Sequence, residues 1–281
     1  MSEVVLYHIP PSFYSQIARI VLWELEVPFQ AKLVAPGPPT FDTYQPWYLK
    51  LNPMGTVPTL VHGNRAVPDS DAIMRYAAEH LSSVTLVPET QDERDVMEGW
   101  IAALRAISLR ELSYGAEKTR KMGARINKIR LKVLAKRRHK NPDMAETYSN
   151  KIDDIAGFAE RAVDPVVAQA HQRQVYQKLD ELNGVLADHP WITGASYSLA
   201  DAVWTVAVAR FIMLKLDPLK GRPDLQAWYA RVKARPSFRQ ADIWEAFRIS
   251  SMLKAVGTRF RGQILVGSGI LIALFWWCCR G

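Results

Sequence analysis

Cysteine is nearly missing from this chain. There are two, Cys278 and Cys279, and none before them. The folded part therefore holds no disulfide, no cysteine-based metal site and no catalytic thiol, and no metal is expected. The opening run, Met1 to Tyr7, lacks both a basic start and a long apolar stretch, which argues against a secretory signal or a transit peptide. No internal repeat and no low-complexity segment is found. Acidic residues are missing from Lys118 to Lys140, where eleven Lys and Arg fall. That segment accounts for the whole formal net charge of +8, and the rest of the chain is slightly acidic. A basic excess confined to one segment is not a nucleic-acid surface, so no nucleic-acid partner is expected. Charge of either sign is missing from Gly262 to Cys279.

What is present suits a folded protein. The chain has 281 residues, 48% of them hydrophobic and 23% charged, enough for one large or two modest domains. Val4 to Tyr7 reads as a strand. Tyr14 to Leu25 reads as a helix, because Ala18, Val21, Leu22 and Leu25 repeat at helical spacing. Pro28 to Val34 reads as a second strand, ended by three prolines and a glycine between Ala35 and Pro39. Thr40 is expected to cap a short helix ending near Leu51. Leu81 to Gln91 is a linker. From Asp92 onward the pattern is helical: Asp92 to Ala116, then the basic segment with Ile126, Ile129, Val133 and Leu134 on one narrow stripe, then a break at Asn141-Pro142-Asp143. Two more helical stretches lead to Ala187. Ser198 and Asp201 form a capping box in its shorter-acid variant, with Tyr197 placed as a staple, and open an apolar helix through Leu216. Further helices are expected over Asp224–Arg235 and Ser237–Ser250.

The stretch from Asn52 to Ile73 organises the rest. Thr59 to Val61 is a short β-prone run after Val57-Pro58, where a proline that cannot donate to a ladder belongs. Gly63-Asn64 tolerates the positive φ of a tight turn, and Arg65 to Val67 returns. Asp69 and Ser70 open a helix whose start offers free backbone N–H groups to an anion. A cis Val57-Pro58 bond turns the Val57 backbone outward, toward a peptide-like ligand.

Val-Pro-Thr-Leu followed by an acidic-Ser-x-Ala-Ile helix start resembles the thioredoxin-like domain of the glutathione transferase superfamily. The resemblance implies an α/β thioredoxin-like domain over residues 1–81 and an all-α domain over 92–250 with a basic insertion at 118–140. It implies glutathione as co-substrate. Val57 and Pro58 would pair with its cysteine backbone, and Asp69 and Ser70 would hold its γ-glutamyl end. Asp69 stands where the family more often has Glu, and Thr56 where many members have Lys or Gln. Glutathione chemistry needs a hydroxyl or thiol at the start of the first helix to favour the thiolate. Ser12, Tyr14 and Ser15 are on offer there. Counting back from Arg19, the family's catalytic position falls on Ser12, with Ser15 as the alternative.

The long charged insertion ending in Asn141 to Tyr148 is similar to two branches of that superfamily. One is the tetrachlorohydroquinone reductive dehalogenases. The other is the tail-anchored ganglioside-induced differentiation-associated proteins. The dehalogenases place a cysteine near the serine. Here Pro10, Pro11, Phe13 and Tyr14 surround Ser12, which argues against that route. The expected function is a glutathione transferase acting on an aromatic or quinone-like electrophile, by conjugation or glutathione-dependent reduction, in detoxification or biosynthesis. The competing expectation is a non-catalytic membrane adaptor that uses the Lys118–Lys140 helix on lipid or a partner, against a plainly solvated charged face. The family's frequent dimerisation implies a homodimer.

Eighteen uncharged residues, 262–279, give roughly 27 Å of helix against a hydrocarbon core of about 30 Å. Lys254, Arg259, Arg261 and Arg280 flank them, and Trp276 and Trp277 suit an interface. The expectation is a transmembrane tail anchor with the globular part cytosolic, the alternative a terminal helix docked on the fold. Cys278 and Cys279 are placed for acylation.

Overall fold

The computed structural model describes residues 3–38, 40–113, 117–161, 164–251 and 257. Residues 1–247 form one compact unit and 248–281 another. The expected membrane span, 262–279, lies outside the described residues. Among the described residues no helix is long and apolar enough to cross a membrane.

In the first unit, β1 (Val4–His8), α1 (Phe13–Glu24) and β2 (Gln30–Leu33) are followed by a single 3-10 turn at Asp42–Tyr44 and by α2 (Pro46–Leu51). Then come β3 (Thr59–His62), β4 (Arg65–Pro68) and α3 (Ser70–His80). The sheet runs β2-β1-β3-β4. β1 pairs in parallel with β2 and antiparallel with β3, in the register Leu6 opposite Leu60. The Gly63-Asn64 turn sets β3 against β4 with His62 opposite Arg65. The sequence expectation for this half holds, with one correction. Thr40 does not cap a helix. Its carbonyl accepts from Gln45 Nε2 and Arg137 Nη2, and α2 begins instead at Pro46, whose missing N–H costs nothing in a first turn.

The helical part comprises α4 (Gln91–Arg105), α5 (Leu109–Ser113), α6 (Glu117–Lys140), α7 (Ala145–Arg161), α8 (Pro165–Asp188), α9 (Leu199–Met213), α10 (Pro223–Ala234) and α11 (Pro236–Gln240). Two expected helices are shorter than their periodicity suggests. The stretch from Asp92 to Ala116 breaks after Arg105, because Ile107 and Leu109 both turn inward and the Ser108 N–H goes to His171 Nδ1. The helix from Ser237 stops at Gln240. Asp242 adopts φ +49°, and the Trp244 N–H leaves for Gln16 Oε1 at 2.8 Å.

α9 is buried from Leu199 to Phe211, which is why it is apolar on every side. Its start is fixed by the expected capping box. The Asp201 carboxylate accepts from the Ser198 N–H and also from Ile192 N–H and Trp228 Nε1. α1 packs between α3 and α9. The basic segment does not stand apart. α6 pairs with α7 to make a hairpin, whose Leu134, Tyr148 and Ile155 form a second small core with Phe41, Tyr44 and Leu49. Arg137 donates to the Phe41 carbonyl at 2.7 Å and the Tyr148 hydroxyl to the Tyr44 carbonyl at 3.0 Å, so the hairpin is fastened to the sheet-bearing part.

One buried group makes this fold sensitive to acid. Arg19 Nη1 lies 3.0 Å from His8 Nδ1, and an arginine only donates, so this ring nitrogen carries no proton. Burial first, and the Arg19 charge second, hold His8 at about 3. A depressed pKa contributes stability that is complete above the unfolded value of about 6.5 and is lost as pH falls toward 3. Lowering the pH from 8 to 5 is expected to cost roughly 2 kcal/mol through this site alone. Urea unfolding of the natural chain and of His8→Gln at both pH values checks it. The variant should lose distinctly less, and equal losses would remove His8 as the cause.

Candidate active site

The loop before β3 is built to hold one shape. Gly55 has φ +57°, and a Cβ there would meet the Thr43 carbonyl at 3.0 Å and Leu49 Cδ2 at 3.1 Å, so any side chain at this position is strained. Asn52 Nδ2 donates to the Thr56 carbonyl and to Thr59 Oγ1, both at 3.0 Å. The Tyr48 hydroxyl donates to the same Thr56 carbonyl at 2.6 Å and lies 2.9 Å from Thr59 Oγ1. Because the single Tyr48 proton is used on Thr56, Thr59 is the donor of that second bond. Tyr48, Asn52 and Thr59 are fully buried.

The Val57-Pro58 bond is cis. Among the described residues no hydrogen-bond partner is found for the Val57 N–H or C=O. Beyond the hairpin, Asp69 caps α3, with Oδ1 accepting from the Asp71 N–H at 2.8 Å. Its φ of +74° is unusual for any residue but glycine, and such conformations collect at functional sites.

These residues meet around one cavity of about 530 Å³. Val57, Pro58, Asp69 and Ser70 all line it, together with Tyr14 and Thr56. A neighbouring cavity of about 220 Å³ shares Tyr14, Asp69 and Ser70 and is otherwise walled by residues such as Phe13, Met74 and Leu104. Of the three hydroxyls at the start of α1, Tyr14 alone faces this space. Ser12 is the N-cap of α1, half-buried, and its oxygen accepts from the Ser15 N–H at 3.3 Å, which leaves its own proton to donate. Ser15 is fully buried, with its hydroxyl oxygen unpartnered. Neither serine lines either cavity. Desolvation, then the Asp69 carboxylate, raises the Tyr14 phenol above its ordinary pKa, so it is a hydrogen-bond donor at neutral pH.

Sequence reading passed over several residues that shape this site. Arg210 reaches from α9 to the Pro11 carbonyl at 2.6 Å and pins the β1–α1 loop. Burial holds its guanidinium down at about 10, still fully charged. The Tyr48–Asn52–Thr59 network was also silent in sequence, since these are common residues whose partners lie four to eleven positions away.

Comparison with known proteins gives a consistent answer. The family model for the glutathione S-transferase N-terminal domain matches residues 11–80, and that for the C-terminal domain matches residues 164–231. The chain is similar to a tetrachloro-p-hydroquinone reductive dehalogenase of Sphingobium chlorophenolicum, 33% identical over 86% of this chain and 97% of the relative. It is 23% identical to the human ganglioside-induced differentiation-associated protein 1-like 1, over 85% of this chain and 73% of that protein. Among solved structures, a theta class glutathione S-transferase from Xanthomonas axonopodis pv. citri with glutathione bound superposes with a TM-score of 0.62. At 21% identity over 86% of this chain and 98% of the other, that likeness is one of fold.

The hydrogen-bond network predicts its own cost of removal. Tyr48→Phe withdraws a donor from a buried carbonyl and an acceptor from Thr59, and is expected to lower stability by roughly 1–3 kcal/mol. Chemical denaturation measures it. An unchanged midpoint would mean that the loop does not depend on this hydroxyl.

Proposed function

The chain belongs to the glutathione S-transferase family, and from that membership we propose that it is a glutathione-dependent enzyme acting on an aromatic or quinone-like electrophile. The observation that carries the reading is the convergence of Val57, Pro58, Asp69 and Ser70 on one cavity. The Val57 N–H and C=O pair with the peptide backbone of glutathione's cysteine. Asp69 and Ser70, at a helix start, hold the ammonium and carboxylate of the γ-glutamyl group. The co-substrate thiol then lies toward the first turn of α1. A thiolate sulfur attacks a ring carbon, and the reaction ends either by loss of a halide or by protonation of a quinone oxygen. Both outcomes suit a folded part without cysteine. The hydroquinone named for the Sphingobium relative supports a ring of that kind as the second substrate.

Ser12 is the residue we assign to the thiolate, its free proton directed to the sulfur. One observation favours a second reading, in which the donor is Tyr14, because its side chain lines the cavity. Calorimetric titration of glutathione into the full chain should give micromolar to low-millimolar binding. A folded sample that binds none would sink the proposal. Ser12→Ala should lower turnover roughly tenfold or more while leaving glutathione affinity nearly unchanged. If Ser12→Ala keeps full turnover and Tyr14→Phe does not, the role passes to Tyr14.

The reading extends to residues 262–279 as a membrane-spanning helix with the folded unit on the cytosolic side, supported by their length, their lack of charge and the flanking cations. In cell fractions washed with alkaline carbonate the full chain should stay with the membrane pellet. A variant carrying Ile270→Lys and Leu274→Lys should move to the supernatant. The same partition for both would remove the span.

A further inference from the structure

The cavity has a second charged wall, opposite in character to Asp69. Three cations line it, one from each of three successive helices: Arg110 from α5, Arg130 from α6 and Lys151 from α7. Among the described residues Arg130 has no carboxylate beside it and Lys151 has one. Asp154 serves two, lying 2.8 Å from Lys151 Nζ and 3.5 Å from Arg110 Nη1. The Arg110 guanidinium carbon also lies over the Phe158 ring, 3.4 Å from its centre. Among the described residues Arg130 pairs with a neutral group, donating from Nη1 to Asn127 Oδ1 at 3.2 Å, and its buried Nε has no acceptor. Lys151 is 7% exposed, and an ammonium with three protons spends one of them on Asp154.

Holding three cations around one cavity, with Lys151 desolvated and repelled by Arg110 and Arg130, is unfavourable unless more negative charge joins Asp154. The packing of the hairpin does not turn on Arg130. Leu134, Tyr148 and Ile155 supply its core, and Arg137, not Arg130, fastens it to the Phe41 carbonyl. The donor geometry favours a planar oxyanion, since guanidinium forks match carboxylate edges and a lysine adds a point charge. Val57, Pro58 and Ile155 on the intervening walls offer apolar contact to a ring.

We infer that Arg110, Arg130 and Lys151 bind an oxyanion carried by the aromatic second substrate, a carboxylate or an ionised phenol. The inference rests on the glutathione reading for the identity of the other substrate. It makes the α6–α7 hairpin a specificity element rather than a lipid-facing one. The carboxylate at the glycine end of glutathione has the same chemistry, and the test separates the two sources.

The probes are 2-naphthoate and 2-naphthamide, alike in shape and different in charge. Each is titrated into the full chain with and without saturating glutathione. The naphthoate should bind on the order of tenfold tighter than the amide, and less so at high salt. Arg130→Met should remove most of that advantage while leaving the amide unchanged, which also certifies the fold. Arg130→Lys should restore part of it. Equal affinity of the two probes for the natural chain would overturn the inference, whatever the variants do. So would an Arg130→Met loss that falls on glutathione and not on naphthoate. γ-Glutamylcysteine binding to the natural chain as weakly as glutathione binds the variant would then place the cations at the glycine carboxylate. Failure of glutathione itself to bind the natural chain counts against the proposed function, and it leaves the naphthoate preference measurable.

Discussion

One buried guanidinium ties the two halves of the folded unit together. Arg19 stands in the middle of α1, on a helix otherwise packed with Ile17, Ala18, Ile20, Val21 and Leu22, and is 5% exposed. Its Nε donates to the Ala241 carbonyl at 2.7 Å and its Nη2 to the carbonyls of Pro10 and Asp242, both at 3.1 Å. With the His8 ring on Nη1, one side chain connects the end of β1, the loop that carries Ser12 and the segment after α11. A charge buried without such partners would be prohibitive. The acceptors are therefore obligatory, and they explain why the last helix gives way to an irregular hook. The carbonyls of Ala241 and Asp242 are wanted by Arg19 and are not free to continue a helix.

The site depends on that frame at both ends. Arg210 holds the Pro11 carbonyl and Arg19 the Pro10 carbonyl, so two buried cations grip adjacent residues just before Ser12. On the other side Tyr48, Asn52 and Thr59 fix the Val57-Pro58 loop from within. Between them the cavity runs from Asp69 and Ser70 to the cations of the helical part. The wall at the Val57-Pro58 loop is set by buried hydrogen bonds, so its geometry does not await a ligand to be formed.

Local chemistry is what the sequence made legible. The Gly63-Asn64 turn, the Asp69 cap and the Ser198–Asp201 box are all decided within four residues, and all three stand as read. The convergence of Val57, Pro58, Asp69 and Ser70 was legible too, because both pairs flank one hairpin. What escaped was decided over longer distances. Periodicity continues through Ala106 to Ser108, and only the inward turn of Ile107 and the distant His171 reveal the break. Arg19 served as a counting mark, since nothing nearby shows that four acceptors from three segments meet on it. The eleven cations of 118–140 read as a single charged surface, but Arg130 and Arg137 turn inward, each toward a partner or cavity that charge patterning does not encode.

The hairpin of α6 and α7 falls in sequence between the two stretches that match the family models. Its Leu134, Tyr148 and Ile155 close on Phe41, Tyr44 and Leu49, and Gly55, in the loop before β3, lies against Leu49 and Tyr44. The two walls of the cavity therefore share one small core, and a change of volume in that core is felt on both sides. Diversification in such a scaffold is not modular: a redrawn far wall has to be reconciled with the loop that it supports.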